Sequence, residues 1–149
     1  MGRLDDELKS RFESEQQKAM LNILFTANWI KAMQVERFSP FGISAQQYNI
    51  LRILRGAKGR MNMHNVKERM IDRAPNATRL TDKLIAKGLV QRERDDKDRR
   101  VVHVWITERG LELLNEIART GSKVERSMLE RMDPADAAIV NRALDALRG

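Results

Sequence analysis

Apolar residues recur at three-, four- and seven-residue steps along the first part of the chain: Leu8, Phe12, Ala19, Ile23, Ala27 and Ile30. No proline or glycine interrupts them, and the period predicts one long helix from about Leu4 to Gln34. The run Phe38-Ser39-Pro40-Phe41-Gly42 ends it. Ser44, with Gln47 three positions on, has the spacing of a capping box, and Ile43 is placed to staple onto Tyr48. The second helix this opens carries Tyr48, Leu51 and Leu54 on one face and stops at Gly56-Ala57-Lys58-Gly59. A short helix from Asn62 to about Met70 turns Val66 and Met70 inward. Pro75 suits the first turn of a fourth helix, which carries Leu80, Leu84 and Ile85 and closes at Gly88.

The period then changes. Leu89 to Arg94 alternates at its start, and Val101 to Ile106 is rich in β-branched and aromatic residues. The polar run Asp95-Asp96-Lys97-Asp98-Arg99-Arg100 lies between them, so the segment predicts a β-hairpin with a charged tip. Thr107 caps a helix expected to run unbroken from Glu108 to about Arg131, with Leu111, Leu114, Ile117, Val124, Met128 and Met132 as its buried stripe. Asp133 caps a last helix that starts with Pro134. The expected fold is mainly α with one small hairpin, in the order of a winged helix-turn-helix.

In that arrangement the second helix of the pair enters a major groove. Here it begins at Pro75, with Asn76 and Arg79 three apart on one face, Thr78 and Lys83 beside them, and Ala77, Leu80 and Leu84 turned to the core. Arginine can donate two hydrogen bonds to guanine, and asparagine can pair with adenine's major-groove edge. Arg73, Thr78 and Lys83 suit phosphates, which fix position without reading sequence. At the hairpin tip Arg99 and Arg100 are shaped for a minor groove, whose negative potential attracts guanidinium. Asp98 is the carboxylate expected to hold an arginine in place.

Charge sharpens the picture. The net charge is +7, but residues 37–100 hold 16 basic and 7 acidic residues, a net +9, and the flanks hold 12 and 14, a net −2. A confined cationic excess is the electrostatic footprint of a nucleic-acid binder. The chain contains no cysteine, which excludes disulfides, thiolate metal sites and thiol redox switches. Its two histidines, His64 and His103, lack a second ligand at metal spacing, and no catalytic motif is present, so no metal, cofactor or enzymatic activity is expected. No apolar run suffices to span a bilayer, and the acidic start at Asp5, Asp6 and Glu7 is unlike a secretion signal. A cytoplasmic protein is expected. The eight methionines, among them Met61, Met63 and Met70, are read as core fillers.

The run Leu84-Ile85-Ala86-Lys87-Gly88-Leu89-Val90-Gln91-Arg92, the wing Asp95 to Arg100 and Ile106-Thr107-Glu108-Arg109-Gly110 together resemble the MarR family of bacterial transcriptional regulators. Asp98 and Arg100 match its D-x-R wing pair, Ile106 stands for a leucine, and Gln46 to Leu51 looks like its second helix. The chain departs from the family at Ala74-Pro75-Asn76, where many relatives carry Ser or Thr. It departs again at Thr81, a position usually apolar, so Thr81 is expected to be exposed or to need a local hydrogen bond. The resemblance implies a homodimer, with residues 1–38 and 111–149 as dimerisation helices and 44–108 as the DNA-binding winged helix-turn-helix. A two-fold dimer would set two recognition helices ~34 Å apart on pseudo-palindromic double-stranded DNA.

The resemblance also implies release of DNA by a small aromatic or phenolic effector, for which Trp29, Met33 and Tyr48 are the candidate pocket residues, although core packing explains each of them as well. The function expected is that of a sequence-specific regulator, a repressor. The alternatives are a winged-helix module that docks an acidic protein and a non-specific architectural DNA-binding protein.

Overall fold

The computed structural model describes residues 2–73, 76–121 and 123–149. The long N-terminal helix is divided in two. Helix α1 spans Leu4–Leu8 and α2 spans Glu15–Phe38, with Lys9 in the left-handed region at φ 49°. The second start is a local capping event: the Ser14 hydroxyl accepts from the Gln17 N–H at 3.0 Å, and the Gln17 side chain accepts from the Glu13 N–H at 2.7 Å. Those bonds satisfy amides that a continuous helix would have paired along its axis. Lys18 then reaches Asp5 at 2.7 Å and holds α1 against α2.

A 3-10 turn over Ser39–Phe41 leads to α3, Ala45–Ala57, which opens with the expected capping box: Ser44 Oγ accepts from the Gln47 N–H and Gln47 Oε1 from the Ser44 N–H. The left-handed residue that ends α3 is Lys58, at φ 52°, rather than a neighbouring glycine. Next come β1 (Met61–Asn62), α4 (Met63–Arg69), α5 (Ala77–Ala86), β2 (Val90–Arg94) and β3 (Val102–Ile106). The sheet is antiparallel in the order β1-β3-β2, so the expected hairpin gains a short third strand that pairs Met61 with Val104. Gly88 sits at φ 74°, the Leu89 N–H donates to the Leu84 carbonyl and the Gly88 N–H to that of Ile85, which is the expected left-handed stop of α5.

The expected helix from Glu108 to Arg131 is also broken, into α6 (Glu108–Thr120) and α7 (Lys123–Arg131), with Gly121 at the interruption. Helix α8 runs Pro134–Arg148, and the Asp133 carboxylate accepts from the Ala135 N–H at 2.8 Å. Among the described residues no helix is long and apolar enough to cross a membrane.

The core lies between α3, α4, α5, the sheet and α6. Phe38, Ile50, Leu51, Leu54, Val66, Leu84, Val90, Val104, Leu114 and Ile117 are almost wholly buried. The outer part of the expected C-terminal stripe is not: Leu111, Val124 and Met132 are exposed.

Thr107 and Gly110 join the hairpin to α6. The Thr107 hydroxyl donates to the Gly88 carbonyl at 2.7 Å and accepts from the Gly110 N–H at 3.1 Å. A Cβ on Gly110 would lie 2.5 Å from the Leu89 carbonyl oxygen and 2.6 Å from Ile106 Cγ1. The first of those neighbours is backbone and cannot swing away. Gly110→Ala is therefore expected to cost about 1–3 kcal/mol, the usual range for overpacking a close contact. A lowered urea midpoint with an unchanged slope is the readout, and an unchanged midpoint would show that α6 can move away from the sheet freely.

Candidate nucleic-acid interface

Helix α5 is held by one face and offers the other. Ala77 (1% exposed), Leu80 (8%) and Leu84 (0%) pack inward, and Gln47 of α3 donates from its side chain to the Leu80 carbonyl. Thr81 takes the second of its two expected routes: it is buried, and its hydroxyl donates to the Ala77 carbonyl at 2.9 Å. Asn76, Thr78, Arg79 and Lys83 all lie on the exposed side, and Arg73 is exposed just ahead of the helix. Asn76 occupies the N-cap position with no side-chain cap bond. Pro75 lies outside the described residues. The preceding turn is tied to α3, since Asn49 accepts from the Ile71 N–H at 3.0 Å and Gln46 donates to Asp72.

The hairpin tip is built by its own carboxylates. Asp95 Oδ2 accepts from the Lys97 and Asp98 N–H groups at 3.0 and 2.9 Å, and its other oxygen lies 3.3 Å from His103 Nε2. Asp98 receives the Arg100 guanidinium through both oxygens, Nε at 3.1 Å and Nη2 at 3.2 Å, together with the Arg100 N–H. Arg94 donates to the Arg99 carbonyl at 2.8 Å. The acidic residues thus order the loop, while the Arg100 side chain stays 91% exposed. A bidentate pair of this kind fixes direction more than it adds stability, because exposed ion pairs are worth only ~0–1 kcal/mol.

These bonds move the carboxylates' titrations. The Arg100 side chain, and after it the Arg100 N–H, hold the Asp98 carboxyl below its ordinary value of 3.8. The Asp98 N–H, then His103 and the Lys97 N–H, do the same for Asp95. A carboxyl whose folded pKa is depressed stabilises its contacts above the unfolded pKa and loses that contribution as pH falls through the folded one. The tip is therefore expected to stay ordered at neutral and mildly acidic pH and to loosen only below the usual carboxylate range. In an NMR titration the Asp98 carboxyl should have its midpoint below 3.8, and Arg100→Gln should move it upward. A midpoint indifferent to that substitution would mean that the pair does not form in solution.

Between α5 and the hairpin lies a cleft of about 310 Å³. Its lining includes Lys67 of α4, Thr78 and Asp82 of α5, Arg92 and Arg94 of β2, and Arg100. Lys67, Arg92 and Arg94 are absent from the residues expected of the interface, although a sequence signal for the two arginines exists. Val90, Arg92 and Arg94 share one face of β2, opposite Ile106, Val104 and Val102 of β3. That face is apolar over the core and becomes cationic toward the tip. Arg92 is bound to Asp82 at 2.5 Å, which links the strand to α5.

The three residues proposed for an effector pocket do not meet. Trp29 borders a small cavity with Leu4, Phe25 and Thr26. Met33 borders a separate cleft of about 390 Å³ with Arg37, Phe41, Gly121 and Val124. Tyr48 stacks on Phe38 with ring centroids 4.3 Å apart. Trp29 and Met33 lie one turn apart on the unbroken helix α2, but Leu4 of α1 borders the first and Gly121 and Val124 border the second.

The model of the MarR family matches residues 43–102, from the residue before the α3 cap into β3. Over 93% of this chain and 98% of the other, the fold matches that of a MarR transcription factor from Planctomyces limnophilus at a TM-score of 0.66, with 39% identical residues. The chain belongs to the MarR family. MarR proteins are transcription factors, so the chain falls among regulators rather than enzymes. A mutant of MarR from E. coli in complex with operator DNA shares the fold at a TM-score of 0.72 and 21% identity, covering 98% of this chain and 99% of that one. The transcriptional repressor MprA of E. coli K12 is 45% identical over 42 residues, a match that spans 28% of this chain and 24% of the repressor's length.

Proposed function

We propose that the chain is a sequence-specific regulator that binds pseudo-palindromic double-stranded DNA as a homodimer and acts as a repressor in the cytoplasm. One observation carries the reading: α5 presents Asn76, Thr78, Arg79 and Lys83 on its free side, next to a hairpin whose Arg100 is aimed by Asp98. In this reading Asn76 and Arg79 address base edges, Arg73, Thr78 and Lys83 address phosphates, and Arg99 and Arg100 serve the minor groove. Pro75, at the start of the segment, belongs to the same proposed set. The operator complex of the E. coli protein, which has this fold, supports DNA as the partner, and the MprA match supports repression.

A dimer is supported by apolar side chains left uncovered on the flanking helices. Leu24 and Val35 of α2, Val124 and Leu129 of α7, and Ile139 and Leu147 of α8 are each more than half exposed. A two-fold partner with the same faces would bury them. Release by a small aromatic or phenolic effector fits the cleft beside Met33 and Phe41, which joins the reading head to α7.

Selection of bound duplexes from a random pool at physiological salt tests the reading. A two-fold symmetric consensus is the expected result. Retention governed by length and salt alone, or tight binding to an acidic protein with no preferred duplex, overturns it.

A further inference from the structure

The cleft between α5 and the hairpin has no role in the assignment of Arg79 to bases and Arg100 to the minor groove. Major and minor grooves of a duplex are separated by a sugar-phosphate strand. A protein that places one element in each groove must therefore pass that strand between the two elements. In this chain the space between them is the cleft lined by Lys67, Thr78, Asp82, Arg92, Arg94 and Arg100.

The charges in the cleft are not equivalent. Arg92 is paired with Asp82 at 2.5 Å and Arg100 with Asp98 at 3.1 Å. Among the described residues Lys67 and Arg94 stand in no ion pair, and both are exposed. Arg94 bonds only to a neutral group, the Arg99 carbonyl, which fixes its direction and leaves its charge uncompensated.

The geometry points to a phosphate seat in this cleft: Lys67 and Arg94 neutralise the DNA strand that divides the two grooves, and the Asp82–Arg92 pair sets the width of the gap it enters. The inference rests on the proposed function, since it takes the partner to be duplex DNA. Lys67 approaches from α4 and Arg94 from β2, so the strand would be held from both sides.

The test is the salt dependence of binding to a mixed-sequence duplex of about 25 base pairs, a length that covers two half-sites one turn apart. For B-DNA the slope of log affinity against log salt changes by ~0.9 for each phosphate neutralised. Lys67→Gln and Arg94→Gln are each expected to flatten the slope by ~0.9 for each protein subunit bound, and the two together by twice that. Both side chains are exposed, so thermal midpoints should stay at the wild-type value and report an intact fold.

The loss should be the same on the mixed-sequence duplex and on a consensus obtained by selection, as expected of contacts that carry no sequence information. Slopes equal to wild type in both variants overturn the phosphate seat, and if a symmetric consensus is still selected the regulator reading stands without it. Failure of the wild-type protein to bind either duplex overturns both.

Discussion

Replacing Arg79 by alanine is expected to weaken binding to a symmetric site by about 1–3 kcal/mol at each half-site and to relax the preference at one base pair in each half. Both subunits of a dimer lose the contact, and sites a helical turn apart add nearly independently. The total is then about 2–6 kcal/mol, or roughly 30-fold to 10⁴-fold in affinity. The size of the effect follows from how α5 is mounted. Ala77, Leu80 and Leu84 are at most 8% exposed, so the helix cannot roll to offer another side chain in place of Arg79. The fold itself should not suffer, because Arg79 is exposed. Gel-shift titrations on the selected consensus and on duplexes changed one pair at a time are the measurement. An equal loss on every duplex would place Arg79 on a phosphate and remove it from base reading.

Ile139→Asp in α8 is expected to split the dimer and to cost the symmetric site more than any single contact. The core of the reading head is drawn from residues between Phe38 and Ile117, and no side chain of α7 or α8 belongs to it. A charge placed on α8 therefore leaves that core intact, while it puts a carboxylate into the face that a partner would cover. Linking two half-site readers gains roughly 10²–10⁴-fold in affinity over one of them, and a split protein loses that factor. Sedimentation should show a single subunit of 17.2 kDa, and binding to the symmetric duplex should fall to that of a half-site. Were Ile139→Asp to sediment as wild type, α8 would not form the seam.

The two effects differ in kind, and together they separate the parts of the mechanism. Loss of Arg79 changes which sequence is preferred. Loss of the seam lowers affinity without changing the preference within a half-site. A protein with both substitutions should bind still more weakly and keep only the half-site preference that Asn76 supplies.

Local chemistry was legible in the chain. Ser44 and Gln47 announce the start of α3 because a capping box needs only residues three apart, and the box forms as expected. Gly88 announces the end of α5 because its left-handed φ of 74° suits a residue without a Cβ. The hairpin, its charged tip and the pairing of Asp98 with Arg100 depend on neighbours within a few positions. The break at Ser14 carried a signal of the same kind, with Gln17 three residues on, that the uninterrupted apolar period masked. Gly121, which parts α6 from α7, was masked in the same way.

What the amino-acid order determined by itself is α3, α4, α5, the paired strands β2 and β3, α8, the cationic middle and the residues that face outward on α5, all of which follow from short-range period and from charge. What only the tertiary structure decided is how those pieces meet. Strand β1 exists because Met61 finds Val104 more than forty positions away. Gly110 is needed because the Leu89 carbonyl passes over it. Lys67 and Arg94 face one cleft because α4 and β2 converge on the same core, and Trp29, Met33 and Tyr48 are parted by what packs on each: α1 beside Trp29, the α6–α7 turn beside Met33 and Phe38 on Tyr48. Contacts of that range depend on the packing of the whole domain, and a pattern read along a single segment does not contain it.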